Sequence, residues 1–64
     1  MLTAEQKNEM IDARILEYSM KIFTLEMDRK ALEAIGDSEG IQSIDQRIES
    51  LKTASSAVES MKEV

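Results

Sequence analysis

The sequence predicts an all-α protein: an antiparallel two-helix hairpin that dimerises into a four-helix bundle. Three observations predict it. There is no proline, and the only two glycines, Gly36 and Gly40, lie close together just past the middle of 64 residues. On either side of them apolar residues recur at spacings of three and four, the period of a helix with one buried side. The first of the two segments carries a second apolar row that its neighbour cannot cover.

Helix 1 is expected over about 4–35. Thr3 and Gln6 have the spacing of a capping box, in which each side chain bonds the other residue's backbone N–H and so starts a helix. The stretch that follows is rich in Glu, Lys, Met, Leu and Ala, which lose little side-chain freedom in a helix. It would be ~48 Å long at 1.5 Å per residue. Pairs such as Glu17 with Lys21, Glu26 with Lys30 and Arg29 with Glu33 have the four-residue spacing that adds ~0.3 kcal/mol each. Gly36 is suited to end the helix, since it takes the left-handed conformation without a Cβ clash.

A loop is expected over 36–40 and helix 2 over about 41–62, so that residues 1–64 form one helical hairpin. The start of helix 2 is the open point: Asp37 or Ser38 can cap it, and Ser43 with Gln46 offers a competing capping box. Asp37-Ser38-Glu39-Gly40 has a faint look of a calcium loop. Its glycine falls too early and Ile41 occupies a ligand position, so a turn and cap is the better reading.

The two seams define the hairpin. Helix 2 has Ile41, Ile44, Ile48, Leu51, Ala54, Val58 and Met61; helix 1 has Ile11, Ile15, Tyr18, Ile22, Leu25 and Leu32, with Ile35 at the end and Arg29 interrupting the row. Folded at the glycines, Ile35 would meet Ile41, Leu32 would meet Ile44, Leu25 Leu51, Ile22 Ala54, Tyr18 Val58 and Ile15 Met61. Arg29 is expected to pair locally with Glu33 or Asp45 while its stem packs on the seam.

The second row of helix 1 is Ala13, Leu16, Met20, Phe23 and Met27, roughly 150° around the helix from the first by the 3.6-residue period. A helix apolar on opposed sides is one set between neighbours. These residues are the expected self-association or partner interface. Beyond the reach of helix 2, residues 2–14 would form an overhang on which Leu2, Met10 and Ile11 offer a further contact.

So short a chain buries little core, and the common supplements are absent: with no cysteine and no histidine there is neither a disulfide nor an ordinary zinc site. Association between chains is the supplement that remains. The same two absences remove the usual general base, the thiolate nucleophile and the Ser-His pair, so no catalytic, cofactor or metal residues are expected and the protein is not read as an enzyme. Tyr18 and Phe23 are the only aromatics, one per row, too few for a stacking platform.

Thirteen acidic against eight basic residues give a net charge of -5 with no Lys or Arg run, which argues against direct nucleic-acid binding. No apolar stretch approaches the ~20 residues that span a bilayer, and the N-terminus lacks the pattern of a signal peptide. A cytoplasmic location is expected. The functional expectation is a non-catalytic interaction module, self-associating through helix 1 and serving as a small assembly, adaptor or regulatory protein. The alternative is an acidic inhibitor or recruiter that docks a dedicated, basic protein partner through the second row.

Overall fold

A computed structural model describes residues 1–63 of the chain; Val64, the last position of the expected 1–64 unit, lies outside the described residues. Two α-helices run antiparallel along each other, α1 over Ala4–Ile35 and α2 over Ser38–Glu59, in a rod of 50 × 16 × 15 Å. There are no strands among the described residues.

The capping box at the start of α1 is formed. The Gln6 N–H donates to Thr3 Oγ1 at 3.1 Å and the Thr3 N–H donates to Gln6 Oε1 at 2.9 Å, so two of the amides that a helix start leaves unpaired are satisfied. At the other end Gly36 takes φ 71°, a left-handed value that glycine reaches without strain. The Gly36 N–H then donates to the Glu33 carbonyl and the Asp37 N–H to the Leu32 carbonyl, the paired bonds of a Schellman ending.

Asp37 reverses its role within one residue. Its backbone N–H closes α1, and its side chain opens α2 by accepting from the Gly40 N–H at 2.9 Å. The expected loop over 36–40 therefore shrinks to Gly36 and Asp37, and Ser38, Glu39 and Gly40 form the first turn of α2. Asp37 serves as cap because the left-handed glycine before it already turns the chain; Ser43 lies inside the helix. Gly40 lies close beneath the turn: a Cβ there would stand 2.9 Å from Leu32 Cδ1 and 2.7 Å from Asp37 Oδ2.

Helix α2 ends at Glu59, earlier than the expected 62, with Ser60 as its cap. Met61 and Lys62 continue as a turn, their N–H groups donating to the carbonyls of Val58 and Glu59. The seam between the helices is thin. Among the described residues only Ile11 and Ile48 are buried, while Ile15, Tyr18, Ile22, Leu25, Leu32, Ile41, Ile44, Leu51 and Val58 are half-buried.

Two residues sit differently from expectation, and a third resolves a double reading. Ile35, placed in the seam, is 74 % exposed: Leu32 occupies the space under Gly40, and Ile35 points about 120° away from the seam's mean direction at 100° per residue. Met61, also placed in the seam, is exposed because α2 has already ended. Ile11, read both as the first residue of the seam and as part of the overhang, is one of the two buried among the described residues, in keeping with the seam. Met61 and Glu63, beyond the end of α2, line one hollow with it, so the overhang is shorter than residues 2–14.

Candidate functional site

The covered side of α1 is fixed by charges as well as by the seam. Arg29, at the one polar slot of the row, donates to Asp45 Oδ1 on α2 from Nε at 2.7 Å and to Asp45 Oδ2 at 3.3 Å, and also pairs with Glu33 one turn along α1. Hydrogen bonding to Asp45, and then its charge, raises the Arg29 pKa; the same bond, first, holds the Asp45 carboxyl below its ordinary value. At the far end Lys62 reaches Asp12 at 2.5 Å, and that hydrogen bond, with the carboxylate's charge, raises the Lys62 pKa. These contacts orient α2 on one side of α1 and leave the other side open.

On that open side stand the residues of the second row. Leu16, Met20, Phe23 and Met27 are 60 %, 57 %, 61 % and 51 % exposed, with Ala13 exposed beside them. The row is continuous over two heptads of a single helix, and among the described residues nothing folds over it. Its borders are polar: Arg14 pairs with Glu17 at 3.2 Å, Lys30 pairs with Glu33 at 3.7 Å, and Thr24 donates its hydroxyl to the Met20 carbonyl at 3.0 Å. Of the four-residue pairs expected along α1, Arg29 with Glu33 is made; Glu17 pairs instead with Arg14 and Lys30 with Glu33, three residues away.

A shallow open groove between α1 and α2 borders the row, lined by Glu17, Met20, Lys21, Thr24, Leu25, Arg47 and Leu51. Leu25 and Leu51, expected opposite one another, both line it. A second small apolar hollow lies at the free end of the hairpin, between Leu2, Lys7, Met10, Ile11, Met61 and Glu63. Leu2 and Met10 remain exposed there, as expected of the overhang.

Sequence reasoning missed what closes that end. Asn8 donates from Nδ2 to the Glu63 carbonyl at 2.6 Å and accepts from the Glu63 N–H at 2.9 Å, and Lys7 lies 3.6 Å from the Glu63 carboxylate. An asparagine past the first turn of a helix, a residue type that prefers to bond backbone groups outside helices, was the available signal.

Among the described residues no helix is long and apolar enough to cross a membrane. Comparison of the chain with protein-family models, with curated proteins and with solved structures finds no match. The fold and the site together define a helical hairpin with one apolar face of α1 covered and the opposite face open.

Proposed function

We propose that this chain is a non-catalytic interaction module that self-associates through α1, placing two α1 helices at the centre of a four-helix assembly and serving as a small assembly, adaptor or regulatory protein. The observation that carries the reading is the exposure of Leu16, Met20, Phe23 and Met27 in one line on the side of α1 away from α2. Burying such a side chain contributes about 1.5–3 kcal/mol. A chain with two buried residues among those described has few other sources of stability. The absence of histidine and cysteine supports a role without chemistry.

Sedimentation equilibrium of the purified chain, alone and as Phe23→Glu, tests it. The expected result is a mass of twice the 7.2 kDa chain that persists at low micromolar concentration and falls to one chain in the variant, with helicity retained in excess of a random coil. A folded monomer at every concentration overturns the reading and hands the same face to a different protein.

A further inference from the structure

The open face is polarised from one end to the other. In a seven-residue repeat, Glu9, Leu16, Phe23 and Lys30 share one row of it and Ala13, Met20, Met27 and Ala34 share the other. Glu9 and Lys30 are both exposed, Lys30 with 85 % of its side chain in solvent, and Ala13, Ala31 and Ala34 are exposed beside them. The face thus ends in an acid near the start of α1, in a base near its end, and carries its bulk in the middle.

Resting on the self-association proposed above, we infer that the occupant of this face is a second copy of the chain in antiparallel orientation, with the two-fold axis passing between Met20 and Phe23. In that register Met20 faces the second copy's Phe23, Leu16 faces its Met27, Ala13 faces its Lys30 and Glu9 faces its Ala34. Each layer matches large with large or a small residue with a long charged one. Glu9 lies one helical turn from the second copy's Lys30 at both ends, close enough for the flexible lysine to reach it across the small alanines.

A parallel pair stacks like on like. Glu9 would meet Glu9 and Lys30 would meet Lys30, Ala13 and Ala34 would face their own copies and leave gaps, and Asp12 would fall beside the second copy's Glu17 on the flank. The antiparallel pair has one like-charge neighbour on its flanks, Asp12 near the second copy's Glu33. Both are already paired within their own hairpins, Asp12 with Lys62 and Glu33 with Arg29, which leaves Lys30 free to turn from Glu33 to the second copy's Glu9. On the opposite flank the exposed Met10 falls against the second copy's Ala31, which gives cover to an apolar side chain that is 60 % exposed in the single hairpin.

Glu5, exposed in the first turn of α1, reports the orientation, and a cysteine placed there is unique because the chain has none. The full chain carrying Glu5→Cys is labelled with a nitroxide and label-to-label distances are read by pulsed dipolar spectroscopy. The antiparallel register sets the two labels about 50 Å apart along the axis at 1.5 Å per residue. Distances near the interhelix separation of about 8–10 Å plus the reach of the labels would overturn the orientation while leaving self-association standing. A chain that sediments as a monomer and gives no dipolar signal would overturn self-association itself, and this arrangement with it.

Discussion

Asn8 and Glu63 stand 55 positions apart in the sequence and hold each other by two hydrogen bonds, one in each direction between the Asn8 amide and the Glu63 backbone. The asparagine side chain here imitates a backbone group, offering both a donor and an acceptor at the spacing a peptide unit needs. The pairing holds the segment after α2 against the start of α1, where Met61 and Glu63 line one hollow with Ile11.

Asn8→Ala removes both bonds. They are exposed, so the loss falls near the lower part of the range for a hydrogen bond, in total about 1 kcal/mol. Amide hydrogen exchange at Glu63 is expected to become fast in the variant while exchange around Ile48 stays slow; unchanged protection at Glu63 would show that the clamp does not hold in solution.

Ile48 is the more telling core position. It is one of two buried residues, and truncation of a buried isoleucine to alanine costs about 2–5 kcal/mol. Ile48→Ala is expected to unfold most of the chain in chemical denaturation at room temperature, whereas Ile35→Ala, at a residue 74 % exposed, is expected to leave the midpoint nearly unchanged. Equal effects at the two positions would contradict the observed packing.

The pairing of Asp45 with Arg29 makes stability depend on acid. Because the Asp45 carboxyl is held below its ordinary value in the folded chain, its contribution is present above the unfolded value and is lost as pH falls through the lowered one. Melting temperatures of the native chain and of Asp45→Asn should differ at neutral pH and converge as the solution is taken below the ordinary aspartate range of about 4. A gap that persists at the acid end would assign the effect of the substitution to something other than this charge.

Charge exchange at the ends of the open face separates the antiparallel arrangement from its rivals. Lys30→Glu places an acid near Glu9 at both ends of the pair. Two exposed ion pairs at about 0.2–1 kcal/mol each make a several-fold weaker dimer the expected outcome. Glu9→Lys combined with Lys30→Glu restores opposite charges and should return the dissociation constant to within about twofold; a double variant as weak as the single one would remove charge pairing from the account.

The two helices and their reversal were legible because the signals are local. Thr3 with Gln6 starts α1 and Gly36 ends it, each through bonds within a few residues, and the structure has all of them. The exposed row was legible for the same reason, since a single helix fixes which side chains share a side. Where distant parts had to be combined the reading weakened. Asp37 and Ser43 are both good caps, and the choice fell to Asp37 because Gly36 had already turned the chain. Ile35 fits the three-residue spacing after Leu32, but it is Leu32, with the Asp37 side chain, that lies against Gly40. Ile11 fell both in the seam and on the overhang, because nothing near it in sequence announces the segment beyond α2 that Asn8 holds.

The two-residue link of Gly36 and Asp37 also sets an order of assembly. Both residues are committed to caps, so the reversal forms from its immediate neighbours and closes a very short loop, where the entropy of closure is small. Contacts across the hairpin then lengthen step by step in sequence, from Leu32 under Gly40, through Arg29 with Asp45, to Asn8 with Glu63. Each new contact is prepared by the one before it, a topology of low contact order that favours fast folding. The hairpin is expected to close from the turn outward, with the clamp at its open end the last part to form and the first to come apart.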